Sequence, residues 1–312
     1  MNAIIDKSLL QEICKQSQAK MASLLSILQK RYVLRIPEIL VEEIISNYVR
    51  QSPQVEACVE NMVDFLQKNK ETWIADPLEI SFQELVVNRG PLIDFPKPAH
   101  YMTDIVDRKF TINSVLKSKL KERKNQKDII TKQIITEQRK ILNVNQCIPL
   151  KNKNDFFSKL VQPEFENIIS DQEKKKRLLD RDLRRQFIFT HQEHKKEIDD
   201  AFTKYTLQTY KRYSATYCCL IVPMFYIYAP LIKIDSPNSP LRKILKRDYQ
   251  GQKNNLNDEK YIQSALLCDC IATRDRGMMS IMDLFKVSGL WKGEILFIDP
   301  QKDLECQMHE YD

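Results

Sequence analysis

The sequence predicts an α/β fold: a three-layer α/β/α arrangement in which helices cover a parallel sheet, with a large helical insertion. Three observations predict it. Short β-branched runs alternate with amphipathic helices at both ends of the chain. Between them lies a long, polar, basic and breaker-poor middle. Only 5 glycines in 312 residues argue against an all-β fold with many tight turns.

The first run, Ala3-Ile4-Ile5, ends in Asp6 and reads as a strand. From Ser8 to Gln29, Leu10, Ile13, Cys14, Met21, Leu24, Leu25 and Leu28 recur at helical spacing, which predicts one helix. Tyr32 to Ile36 reads as a second strand, and Pro37 stands where a helix can begin without needing an N–H. The helix after it carries Ile39, Leu40, Ile44 and Ile45, with Glu42 and Glu43 on adjacent faces. Ser52-Pro53 predicts another helix start, with Val55, Val59, Met62, Phe65 and Leu66 buried along it. Residues 73–99 read as irregular structure around one short helix near Phe82 to Val87.

Three regions follow: 1–99 as the first half of the core, 100–215 as a basic helical insertion, and 216–312 as the second half. Within the insertion, Lys117, Lys121 and Lys124 lie close together. Ser170-Asp-Gln-Glu173 reads as a capping box opening a long helix that carries Lys175, Arg181 and Arg185, then Phe202, Tyr205, Tyr210 and Tyr213. These cations could track a phosphate backbone, though charge runs on long helices are as often solvated faces. His191 and His194 are three apart with no third ligand in view, so a solvated face is expected.

The apolar run Tyr217 to Ile232 contains Pro223 and Pro230 and is short for a bilayer, so it reads as buried core rather than a membrane span. Gly251 to Asn257 reads as a polar loop, with Asp258 in the first turn of the next helix and Asn257 as its cap. That helix buries Ile262, Ala265 and Leu266. Asp269 is expected to face solvent before the strand Cys270-Ile-Ala-Thr273. Asp275 follows that strand directly. A helix with Met278, Met279, Ile281, Met282, Leu284 and Phe285 ends at Gly289, and Glu294 to Ile298 is the last strand.

An acid just past the end of a parallel strand sits where open α/β sheets bind ligands. Asp6, Glu43, Asp258 and Asp275 can therefore meet at one rim of the sheet. Clustered carboxylates repel unless a divalent cation neutralises them, and an oxygen-only set suits Mg²⁺ or Mn²⁺. There is no GxGxxG or Walker loop, and no CxxC pair among the 8 cysteines, so a nucleotide loop or structural zinc site is not expected. The chain opens Met-Asn-Ala-Ile-Ile-Asp with no export signal, which suggests free thiols and a cytoplasmic protein. A net charge of +7 makes a polyanionic partner plausible without deciding it.

Four segments resemble the motifs of the PIN domain, a nuclease family. Ile4-Ile5-Asp6-Lys7-Ser8 is similar to its opening strand and acid. In Ile36-Pro37-Glu38-Ile39-Leu40-Val41-Glu42-Glu43-Ile44 an acid follows the proline by six positions, which selects Glu43 and keeps Glu42 as the alternative. Asn257-Asp258 and Ala272-Thr273-Arg274-Asp275 resemble the third and fourth motifs. The resemblance covers roughly 1–70 and 240–300. It implies a metal-dependent nuclease, a ribonuclease in preference to a DNA-cleaving enzyme. Asp6, Glu43, Asp258 and Asp275 would be metal ligands, with a metal-activated water attacking the phosphodiester and Ser8 and Thr273 supporting the carboxylates. The insertion would position RNA, bind an inhibitory protein or build a homo-oligomer. Lys7 stands where the family usually has a small hydroxyl residue. That departure supports the alternative: an inactive PIN-like scaffold binding nucleic acid or a protein through its insertion.

Overall fold

Strands drawn from the two ends of the chain form one parallel sheet in the computed structural model. It describes residues 1–50, 57–90, 92, 94–97, 114–142, 148–149, 157–171, 183–204, 214–229, 232–233 and 249–311. The main sheet contains β1 (Asn2–Ile5), β2 (Val33–Pro37), β3 (Trp73–Ile74), β6 (Cys270–Thr273) and β7 (Glu294–Phe297). Their spatial order is β3-β2-β1-β6-β7, and every pairing is parallel. Two short strands, β4 (Ile148–Pro149) and β5 (Ile232–Lys233), pair separately.

The two central strands are apolar at consecutive positions because both faces are covered. Ala3, Ile4 and Ile5 in β1, and Cys270, Ile271 and Ala272 in β6, are all buried. Burying each isoleucine contributes roughly 1.5–3 kcal/mol. β2, which flanks β1 on the side opposite β6, alternates more. The missed strand, β3, has two residues, too few for any periodic signal.

The chain runs outward from β1 through β2 to β3, returns to the opposite side of β1 at β6, and moves outward again to β7. Helices α1 (Lys7–Cys14) and α2 (Gln18–Arg31) connect β1 to β2. The expected single helix over Ser8 to Gln29 is thus two, because no large apolar side chain lies between Cys14 and Met21 to hold a continuous one to the core. Next come α3 (Glu38–Arg50), α4 (Ala57–Lys68) and α5 (Pro77–Phe82), the last continued by a π-type turn over Gln83–Val87. Residues 73–99, expected to be irregular with one short helix, therefore supply a strand and two helical turns. Ser52, Pro53 and Val55 lie outside the described residues.

The middle of the chain contributes α6 (Ser114–Leu142), α7 (Gln162–Ser170), α8 (Arg184–Thr190) and α9 (Lys195–Lys204). Ser170 closes α7, and its hydroxyl donates to the Glu166 carbonyl at 2.6 Å; the long helix expected to follow it falls largely outside the described residues. Residues 172–182, including Lys175 and Arg181, and Tyr205, Tyr210 and Tyr213 lie outside the described residues. The chain breaks helix again at His191. Its ring stacks on Phe82 at 3.7 Å and its Nε2 lies 2.9 Å from Glu79, so it is not on a solvated face.

The apolar run forms α10 (Ser214–Tyr228), which passes through Pro223. Its first amides are capped from outside: Ala215 and Thr216 N–H groups donate to the buried Glu84 carboxylate at 3.0 and 3.1 Å. Among the described residues no helix is long and apolar enough to cross a membrane. Then come α11 (Tyr249–Leu266), α12 (Arg276–Val287) and α13 (Leu304–His309). The expected loop at 251–257 is helical, because a helix held firmly at its packed end extends cheaply through a polar run. Asp258 consequently sits inside α11, not in its first turn. Right-handed crossovers put α1 and α2 on one face of the sheet and α12 on the other. The reversal of direction falls between β1 and β6, where α11 packs on β1.

Candidate carboxylate site

The carboxyl ends of β1 and β6 are tied together at the point where the strand order reverses. The Asp6 amide donates to the Ala272 carbonyl at 3.0 Å, extending the ladder by one residue. The Asp6 side chain caps α1 through the Leu9 amide at 2.9 Å. The Ser8 hydroxyl reaches both of its oxygens, at 2.8 and 3.0 Å, and the buried Thr273 hydroxyl donates to Oδ2. Thr273 in turn accepts from the Asp275 amide at 2.9 Å. Ser8 and Thr273 are thus the supports of Asp6.

Asp275 caps α12, with Oδ1 accepting from the Gly277 and Met278 amides at 2.6 and 3.0 Å. Its other oxygen accepts nothing from the described residues, and the side chain is exposed. Glu43 faces α11: one oxygen accepts from Asn257 Nδ2 at 2.6 Å and the other from the Tyr261 hydroxyl at 3.0 Å. Asn257, expected as a helix cap, instead orients Glu43. Asp258 makes no hydrogen bond among the described residues.

Asp275, Glu43 and Asp6 lie close enough to Asp258 to oppose its ionisation. Burial first, then the charges of Asp275, Glu43 and Asp6, push the Asp258 carboxyl up to about 8. Burial also raises Asp6, to about 6, against the lowering hydrogen bonds from Thr273, Leu9 and Ser8; Asp275 adds to the rise. Lys7, half-buried at the first position of α1, is not among the leading influences on Asp6. On α3, Glu43 is the acid whose charge acts on Asp258.

Three of the four carboxylates are committed in part to the fold. Among the described residues, no three His, Cys, Asp or Glu side chains are gathered closely enough to hold an ion as they stand. The oxygens that accept no hydrogen bond among the described residues are those of Asp258 and the outer oxygen of Asp275.

Sequence reasoning missed Tyr261, which lies one turn after Asp258 and could have been found from that spacing. It also missed Tyr226, whose hydroxyl is buried and unpartnered among the described residues. It lay inside a run read only as core. Of the cations expected to meet nucleic acid, Lys117, Lys121 and Lys124 lie on α6, where Lys121 is exposed, and Arg185 lies on α8. Asp269 is exposed as expected, and it accepts from the Asn2 amide at 2.7 Å. Comparisons of the chain with protein-family models, with curated proteins and with solved structures found no match.

Proposed function

We propose that the chain is a metal-dependent nuclease with a PIN-like core, acting on RNA in preference to DNA. The observation that carries the reading is the placement of four carboxylates, from four elements, at the switch point of a parallel sheet. There, Asp258 and Asp6 are raised, by burial first and then by the charges of neighbouring carboxylates. Such a set is costly unless cations neutralise it, and its hard oxygen donors fit Mg²⁺ or Mn²⁺. The ion would be held by Asp6, Glu43, Asp258 and Asp275. When bound, it supplies Lewis acidity, lowering the pKa of water and offsetting charge that develops on a phosphate.

The chain's own residues supply orientation. Thr273 and Ser8 fix the Asp6 carboxylate, and Asn257 and Tyr261 fix Glu43. Asp275, exposed at the start of α12, marks the side from which a phosphodiester would approach. Basic helices of the insertion, with Lys121 exposed on α6, would attract the polyanion.

A second reading is favoured by the hydrogen bonds themselves. Asp6, Glu43 and Asp275 are each occupied by protein donors. The same cluster would serve as a polar clasp in a non-catalytic scaffold that binds RNA or a protein partner through its insertion. Cleavage of a panel of RNA and single-stranded DNA with Mn²⁺, by wild type and Asp275→Asn, separates the two. The nuclease reading expects wild-type cleavage that falls at least about a hundredfold in the variant. Equal cleavage by both would remove the site, and no cleavage of any substrate would leave the scaffold.

A further inference from the structure

Tyr226 is 2 % exposed, and its hydroxyl has no hydrogen-bond partner among the described residues. A buried hydroxyl in this condition is disfavoured unless something else meets it. It stands where α10 meets the two elements that carry the freest carboxylates. Helix α10 packs along α11, which bears Asp258. The neighbouring Phe225 ring lies 5.7 Å from Phe285 of α12, the helix that Asp275 caps. The charges of Asp258, Glu259 and Asp275 all act on the Tyr226 hydroxyl, after burial itself, to raise its pKa well above the ordinary value.

The backbone at this position is also held from a distance. In a regular helix the Tyr226 carbonyl would accept from residue 230, but that residue is Pro230, which has no N–H to give. Gln138, on α6, supplies the missing donor through Nε2 at 2.9 Å. A helix of the insertion therefore fixes the turn that carries Tyr226.

We propose that the Tyr226 hydroxyl is a further member of the carboxylate site, delivered by the helical insertion, and that it meets the hydration shell of a divalent cation held by Asp258 and Asp275. The proposal rests on the reading above that the cluster binds such a cation. A neutral hydroxyl suits this place: it can donate or accept without adding to the four negative charges. Tyr226 acts on the ion's surroundings and is a positioning residue.

The test is Mn²⁺ binding, followed by the loss of the free-ion electron paramagnetic resonance signal, for wild type, Asp275→Asn, Tyr226→Phe and Gln138→Leu. Tyr226→Phe removes one oxygen and keeps the ring. It is expected to melt at the same or a higher temperature without cation, while its Mn²⁺ dissociation constant rises about tenfold. Gln138→Leu, which leaves every carboxylate in place, is expected to weaken binding in the same direction by a smaller factor. Wild-type binding that Asp275→Asn weakens and Tyr226→Phe leaves unchanged would overturn this proposal alone. Unchanged binding in Gln138→Leu would overturn the role given to the insertion. If the wild-type chain binds no Mn²⁺, the proposed function falls and takes this inference with it.

Discussion

Among the described residues, Asp258 has no donor to stabilise its charge and three carboxylates to oppose it. Its carboxyl is raised to about 8, whereas an unfolded aspartate titrates near 4. Between those limits the folded chain holds a proton that the unfolded chain has released, so the contribution of Asp258 to stability is fully present below about pH 4 and is lost as pH rises through about 8. The melting temperature of the cation-free protein is therefore expected to drop between pH 5 and 8. Asp258→Asn should flatten that slope and melt higher at pH 8, and an unaltered slope would refute the assignment. Thr273 presents the opposite case, a buried hydroxyl whose bond to Asp6 favours the carboxylate. Thr273→Val should cost about 1–3 kcal/mol in urea denaturation near neutral pH. The acids Asp6 and Asp275 were legible because each directly follows a buried run. Tyr226 was not, because an aromatic at helical spacing in an apolar stretch looks like packing until its hydroxyl is found without a partner.

Elements reveal which local signals tertiary contacts override. Helix α10 begins at Ser214 with its early amides buried, and Glu84, 131 residues earlier, supplies the acceptor. Glu84→Ala should lower stability by about 2–3 kcal/mol, measured by denaturant titration, because it leaves two buried amides unsatisfied. Gly293 meets a tighter limit: a Cβ there would lie 2.6 Å from the Asp269 carbonyl and closer still to the Trp291 ring. Gly293→Ala should therefore loosen the β6–β7 edge and lower the melting temperature by a few degrees, since each kcal/mol shifts it by roughly 2–4 °C in a domain of 150–250 residues and by less in a larger one. The strands β1, β2, β6 and β7 were readable from apolar runs. The two-residue β3 and the extension of α11 back to Tyr249 were not, since neither has a periodic signature of its own. The break between α1 and α2 was visible only as a gap in large apolar residues.

Across the whole molecule, the architecture follows from the order in which strands are laid down. β1 is central, with β2 on one side and β6 on the other. Amide hydrogen exchange should find Ile4, Ile5, Ile271 and Ala272 among the slowest, exchanging as one group, because both faces and both edges of these strands are covered. Exchange of β6 well ahead of β1 would contradict this. The alternation of strand and helix at the two ends made the parallel sheet legible. How the middle of the chain packs on it was not, because α6 packs along α10 and α11, elements far away in the sequence, through contacts such as Gln138 to the Tyr226 carbonyl.

The bond from Thr273 to Asp6 spans 267 positions. A chain emerging from the ribosome has made β1 and β2 long before β6 exists, and closing so wide a loop comes late in folding. Until then, Asp6 and Glu43 have neither Asp258 nor Asp275 to meet. A nascent chain at that stage carries only half of the cluster's carboxylates, so the emergence of residues 258–275 acts as a timer on any chemistry the cluster performs.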